Sequence, residues 1–302
     1  MTDIILDSDD RIAGNLTPTY DSDRVKKIPE VLSSDIIYKS RTAFVIPEYK
    51  LIFFTFPKVA CSEWKRMFMR MNGNPNWCKT RGFNAHDPKL NEIKLLREYE
   101  PEIATAMMTS SKWKRAAIVR EPKERVLSAF LDKAVKEDYY VKKCCENLPS
   151  EKLVGECKEN EKDFESFLKF VTDYPKECFD VHWEPQILKI DAKWWPYIDW
   201  IGHQDNLLHD SKDILKQLKS NRDEDEGRSA WDRYGVSGWG SEEGCEDRPN
   251  SFLQENTSTH NIDTGSKLME WYTAKTEKMV EEKWAVEWNQ KNVQFPEVHL
   301  FN

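Results

Sequence analysis

Residues 51–64 read LIFFTFPKVACSEW, and the fold turns on how this stretch is understood. Leu51 to Phe56 are almost continuously apolar and aromatic, the pattern of a strand buried on both faces of a sheet. Pro57 and Lys58 end the run, and the chain turns through Val59, Ala60, Cys61 and Ser62. Beyond the turn, Trp64, Met67, Phe68 and Met71 are spaced as one face of a helix. A buried strand, a tight turn bearing a lysine and a helix N-terminus together make an anion site. Free backbone N–H groups and the positive end of the helix dipole converge there, and Lys58 adds a full charge. A plain strand–loop–helix connection with a surface lysine would look the same, so the rest of the chain must decide.

A chain of 302 residues suits one large domain or two small ones. With 39% apolar and 12% aromatic residues it can fill a core, and twelve tryptophans point to aromatic-lined surfaces or clefts. The 45 basic against 53 acidic side chains give a net charge of -8, which excludes a nucleic-acid binder held by phosphate contacts. Any anion site must therefore be local. No apolar run approaches the roughly 18 residues of a membrane span, and MTDIILDSDDRIAG lacks the profile of a signal peptide. These features predict a soluble, cytoplasmic chain without membrane contact. Cys144, Cys145, Cys157 and Cys178 cluster, either as one or two disulfides of an oxidising compartment or as free thiols. With no C-x-x-C pair, and His182 standing alone nearby, no metal site is expected. Asn15-Leu16-Thr17 and Asn256-Thr257-Ser258 are glycosylation sequons at the frequency of chance.

In chain order, residues 1–34 read as a loose acidic arm and 35–50 as one short strand. Residues 72–90 are a loop, and helices are expected near 89–99 and 101–109, separated by Pro101. Lys114 to Val119 reads as a second buried strand. It enters Arg120-Glu121-Pro122, where Pro122 suits the first position of a helix carrying Val126, Leu127, Phe130, Leu131 and Ala134 on one face. Residues 137–162 read as a surface excursion. A helix over 163–173, a strand over 198–202 and a helix over 205–219 follow. Residues 220–250 form a long loop whose Trp231 and Trp239 favour a packed, functional segment. One amphipathic helix is expected over 265–290, through Leu268, Trp271, Tyr272, Met279, Trp284 and Trp288. Strands alternating with helices imply an α/β domain with a mostly parallel sheet, and one decorated domain rather than two. Both basic turns, at Lys58 and Arg120, then lie at the carboxyl edge of the sheet, where ligands bind. Two separated cationic turns suit a ligand with two separated phosphates. The first turn is not a Walker A loop, because it lacks G-x-x-x-x-G-K-[ST].

These residues resemble a known family. FPKVACSEWKR at 56–66 is similar to the 5′-phosphosulfate loop of membrane-associated carbohydrate sulfotransferases, the group that includes the chondroitin 4-O enzymes. VREPKERVLSAFLDK at 119–133 resembles that family's 3′-phosphate motif, with Arg120 and Ser128 at its characteristic separation. HWEPQ at 182–186, IDWIGHQDNLLHD at 198–210 and the stretch from His260 to Tyr272 continue the likeness, which covers roughly 45–295. MMTSSKW at 107–113 and SGWG at 237–240 have the texture of the family's algal branch. The resemblance implies a P-loop-like three-layer α/β/α fold over 35–302, with insertions at about 137–162 and 220–250.

It also implies transfer of a sulfuryl group from 3′-phosphoadenosine 5′-phosphosulfate (PAPS) to a hydroxyl of a glycan or small metabolite, without a metal and without nucleic acid. On that reading Lys58 donates to the leaving oxygen, and Pro57, Val59, Ala60, Cys61, Ser62 and Glu63 form the 5′-phosphate cradle. Arg120 and Ser128 take the 3′-phosphate. Trp64 either packs near the adenine or belongs to the core. A base must accept the proton of the acceptor hydroxyl. His86 ranks first, because related sulfotransferases place a catalytic histidine in that interval; His182 is second, followed by His260, His203 and the carboxylate of Glu63. The sequence departs from the family pattern in three ways. KIDAKWWP lacks a C-x-x-C found in many members, Glu63 stands where asparagine is common, and no anchor is present, whereas family members are Golgi proteins. A Golgi lumen location follows if such an anchor was removed. Two other readings stay open: a P-loop kinase or NTPase, and a non-catalytic binding protein of the same fold.

Overall fold

Leu51–Phe54 is a strand (β2) with all four side chains buried. The computed structural model describes residues 35, 41–78, 85–222, 226–235, 264–290, 293, 295, 298, 300 and 301. The arm at 1–34, His260, Trp239 and both sequons lie outside the described residues. β2 pairs antiparallel with β1 (Ala43–Ile46), with Phe44 opposite Phe53, and parallel with β3 (Lys114–Val119), with Phe53 opposite Ala116. β4 (Trp200–His203) completes the order β1-β2-β3-β4. The class is α/β. The antiparallel member is β1, and its outer side is bridged in turn by Leu95. At the start of β4, the Asp199 N–H donates to the Arg115 carbonyl at 2.8 Å, and its carboxylate pairs with the buried Arg115 guanidinium at 2.8 Å.

The expected helix after the turn is α1 (Cys61–Met71). Its apolar face is Trp64, Met67, Phe68 and Met71, all buried. Trp64 lies 4.5 Å and Phe68 4.9 Å, centroid to centroid, from Phe53 of β2. A helix over 89–99 does not form. Pro88–Asn91 makes one turn, which Glu92 ends with φ 54, and Leu95 is drawn into the bridge to Phe44. α2 (Pro101–Thr109) begins at its proline as expected. α3 (Pro122–Phe130) also has proline at its first position, and the Glu121 carboxyl group caps it by accepting the Glu124 N–H at 2.8 Å. It continues as a π-helical turn, Leu131–Val135.

By contacts the chain divides into two compact units. The first comprises Met1–Thr55, Ala60–Ile118 and Lys189–Ser258, and the second Phe56–Val59, Val119–Leu188 and Thr259–Asn302. The first holds β1, β2, β4 and all but the last residue of β3. The second is helical: α3, α4 (Tyr139–Lys143), α5 (Glu151–Glu159), α6 (Phe164–Asp173), and two C-terminal helices. Phe130, Tyr140, Phe164, Phe167, Trp183, Tyr272 and Trp284 fill its core.

Residues 137–162 of this second unit are mostly exposed, but Tyr140, Cys144, Cys145 and Cys157 are buried and anchor the segment. Disulfides Cys144–Cys178 and Cys145–Cys157 hold the charged segment against the core, leaving its lysines and glutamates outward. The single helix expected over 265–290 does not form. The stretch is α8 (Thr264–Trp271) and α9 (Ala274–Trp288), separated where Thr273 forms a capping box with Thr276. In the first unit, α7 (Leu207–Gln217) follows β4. Of the long loop, Trp231 is described and buried. Among the described residues no helix is long and apolar enough to cross a membrane.

Candidate active site

The turn after β2 is strained. Lys58 has φ 68 and Ala60 φ 49, two non-glycine residues in the left-handed region on either side of Val59. Such a conformation costs a non-glycine residue about 1–2 kcal/mol, and strain of this kind gathers at functional sites. Ala60 is also the N-cap of α1 and offers no side-chain oxygen. The Glu63 and Trp64 N–H groups turn back to the Ala60 carbonyl at 3.0 and 3.1 Å. The start of α1 therefore keeps its dipole without a side-chain cap, the state in which a helix N-terminus receives an anion.

The second unit brings Lys58 and Arg120 together, as the two-turn reading requires. The Arg120 guanidinium donates through Nη1 to the Lys58 carbonyl at 3.3 Å, and through Nε and Nη2 to Glu124 Oε2, both at 3.2 Å. Lys58 Nζ lies 3.0 Å from Asp132 Oδ2, and Lys133 Nζ lies 3.2 Å from the same oxygen. Burial would raise the Asp132 carboxyl, but the charges and hydrogen bonds of Lys58 and Lys133 outweigh it and hold the group below its ordinary value. Lys133 also pairs with Glu137 at 2.9 Å. The cations of both turns thus face carboxylates. Ser128 is buried on α3, in the helix that Arg120 leads into.

His182 sits in a hydrogen-bonded chain in the same unit. Its Nδ1 lies 2.5 Å from Asp180 Oδ1, and the Tyr139 hydroxyl donates to Asp180 Oδ2 at 2.7 Å. Burial pushes the Asp180 carboxyl up, and the bonds from His182 and Tyr139 bring it below its usual range. A carboxylate only accepts, so Nδ1 carries the hydrogen, and in the neutral ring Nε2 is the accepting nitrogen.

His86 belongs to the first unit. Its Nε2 lies 2.7 Å from Ser62 Oγ, and its Nδ1 lies 2.8 Å from Lys65 Nζ. An ammonium only donates, so with Lys65 charged Nδ1 is the acceptor and Nε2 holds the hydrogen, directed at Ser62. Burial lowers the Lys65 pKa, more than the nearby Cys61 raises it. Trp64 is 1% exposed against Phe53 and Phe68, which makes it a core residue with no face left for an adenine. The His203 backbone N–H donates to Asp210 at 2.7 Å. Among the described residues no cluster of His, Cys, Asp or Glu is arranged to hold a metal.

Asp132, Glu124, Asp180 and Lys65 were not expected at the site from the sequence. The signals were present: Glu124 and Asp132 follow Arg120 and Ser128 at one helical turn, and Asp180 precedes His182 by two residues.

The chain is similar to several known proteins. Carbohydrate sulfotransferase 9 of Homo sapiens is 27% identical over 203 residues, 61% of this chain and 42% of that protein. Carbohydrate sulfotransferase 11 of Rattus norvegicus is 26% identical over 56% of this chain and 50% of its own length. Carbohydrate sulfotransferase 10 of Pongo abelii is 26% identical over 58% and 51%. The chain thus spans about half the length of the curated relatives it matches. No solved structure matches it. The family model described as "Sulfotransferase family" matches residues 41–234, a span that includes the strained turn, Arg120, Ser128, His86 and His182, and the chain belongs to that family.

Proposed function

We propose that this chain is a PAPS-dependent sulfotransferase acting on a hydroxyl of a glycan or small metabolite. The observation that carries the reading is the meeting of the two cationic turns in one unit, with Arg120 donating to the carbonyl of Lys58. The donor set of the second unit suits PAPS: an ammonium and a guanidinium fork are both anion donors. When bound, PAPS supplies an activated sulfuryl group. Lys58 then leaves Asp132 and places its positive charge where negative charge develops in the transition state. Arg120 exchanges Glu124 for the 3′-phosphate, beside Ser128. Cys61 and Ser62 offer backbone N–H groups at the start of α1.

For the base, the geometry favours His182 over His86. Asp180 fixes the His182 ring and leaves Nε2 to accept a proton, as an orienting carboxylate does for other catalytic histidines. His86 has both nitrogens engaged, by Ser62 and Lys65, and acts as a base at Nε2 only if Lys65 is neutral. The names of the matched relatives support a carbohydrate acceptor. The disulfides Cys144–Cys178 and Cys145–Cys157 support an oxidising compartment rather than the cytoplasm.

The test is incubation with PAPS, in the presence of a chelator, across a panel of glycans and small hydroxyl compounds, following release of 3′-phosphoadenosine 5′-phosphate. Turnover with at least one acceptor is expected, abolished in Lys58→Ala and His182→Ala and retained in part in His86→Ala. No turnover, with no rise in melting temperature at millimolar 3′-phosphoadenosine 5′-phosphate, would refute the reading.

A further inference from the structure

Gln186 closes the HWEPQ stretch, is wholly buried, and has both hydrogens of its side-chain amide committed. Its Oε1 accepts the Arg120 backbone N–H at 3.0 Å, and its Nε2 donates to the Arg120 carbonyl at 2.7 Å. One side chain therefore grips both polar groups of a single backbone residue, as a neighbouring strand would. A carboxamide accepts and donates in this way at every pH without carrying charge. Behind it, Glu287 of α9 accepts the Gln186 backbone N–H on Oε1 and the other amide hydrogen on Oε2, the latter at 3.0 Å. Glu287 is itself fully buried.

Arg120 lies between β3 and α3, outside either element's own hydrogen bonding at the point where its side chain departs. Its backbone contacts to Gln186, at 2.7 and 3.0 Å, are shorter than its guanidinium contacts to Glu124 and Lys58, at 3.2 and 3.3 Å. The root of the side chain is fixed, while its tip is held by partners that an anion can replace. Clamping the root reduces the conformational freedom that a guanidinium loses on gripping a phosphate.

We propose that Gln186, held by Glu287, is a positioning residue that presents Arg120 to the 3′-phosphate and so sets the preference for a 3′,5′-bisphosphate over a 5′-monophosphate. This rests on the reading of Arg120 as the 3′-phosphate ligand. The clamp acts on one half of the ligand, so its loss is selective.

The test is calorimetric titration of the full chain with 3′-phosphoadenosine 5′-phosphate and with adenosine 5′-monophosphate, in the wild type, Gln186→Met and Glu287→Gln. In Gln186→Met the Kd for the bisphosphate rises tenfold or more and that for the monophosphate changes less than twofold. Glu287→Gln turns an amide toward the Gln186 amide and moves the same ratio by a smaller factor, so it carries the test if Gln186→Met does not fold. An unchanged ratio of the two affinities in the variants overturns the proposal, and so does equal weakening of both ligands, which marks general loosening. A wild type without preference for the bisphosphate overturns the Arg120 assignment and the proposal with it. A wild-type preference that survives in both variants overturns the proposal alone.

Discussion

Replacing Arg125 by methionine should be among the most damaging single changes in the second unit, although Arg125 is not assigned to any ligand. The side chain is fully buried. Its Nε donates to the Pro57 carbonyl at 3.1 Å, Nη1 to Glu184 at 2.8 Å and Nη2 to Val181 at 3.1 Å. Its charge also opposes the burial that raises the Glu287 carboxyl. Methionine keeps most of the length and apolar volume but none of the donors. Three carbonyls lose a charge-assisted bond, each worth about 1.5–3 kcal/mol. Partial relaxation, and protonation of Glu287, recover some of that sum. The net loss should be about 3–5 kcal/mol, the usual result of breaking a buried charged network. Against a total stability of about 5–15 kcal/mol, this is a large fraction. Urea titration followed by tryptophan fluorescence would show the midpoint falling by about 1–3 M. Arg125→Lys should lie between, because one ammonium keeps the charge but does not span three carbonyls. A loss below about 1 kcal/mol in Arg125→Met would refute the reasoning.

Three further outcomes are expected. Asp132→Asn removes the carboxylate that competes for Lys58, so calorimetry should show 3′-phosphoadenosine 5′-phosphate binding several-fold tighter while stability falls by about 1 kcal/mol. The Asp132 pKa is depressed in the fold, so its contribution is present above the unfolded value and is lost as pH falls through the folded one; the two melting curves should converge in acid. Ala60→Gly relieves a φ of 49 and should raise stability by about 0.5–1 kcal/mol on denaturation, after the entropic cost of glycine; a clear loss would show that Ala60 is not strained. Burial lifts the Glu121 carboxyl to about 8. The folded state then holds a proton that the unfolded chain releases near 4.5, so this contribution is complete below that pH and is lost as pH rises through 8. Glu121→Gln should flatten that decline, by up to about 5 kcal/mol at the alkaline end, and an unchanged pH profile of melting would contradict it.

The sheet and its first helix were legible because Leu51 to Phe56 and the Trp64–Met71 face follow from local periodicity alone. The helix expected over 89–99 was not, because Leu95 answers to β1, a partner far away in sequence. The charged look of 137–162 fits its largely exposed surface but concealed the buried Tyr140, Cys144, Cys145 and Cys157, whose two disulfides supply anchoring that apolar side chains supply elsewhere. At the site, the cations were visible as turn residues. Their carboxylate partners, and the clamp on Arg120, depend on side chains from three separate segments of the chain. The αL conformations of Lys58 and Ala60 left no trace, because neither residue is the glycine that usually signals one.

Cys144 and Cys145 are neighbours in the chain but belong to different bridges, one reaching Cys178 and the other Cys157. The smaller covalent ring therefore lies inside the span of the larger. Four thiols can pair in three ways, and only one gives these rings. Replacing a single cysteine does more than open one ring. Removing Cys157 leaves the Cys145 thiol beside the intact Cys144–Cys178 bond, placed to attack it and re-form the larger ring through the wrong residue. Dissecting this part of the molecule therefore calls for removing cysteines in bonded pairs.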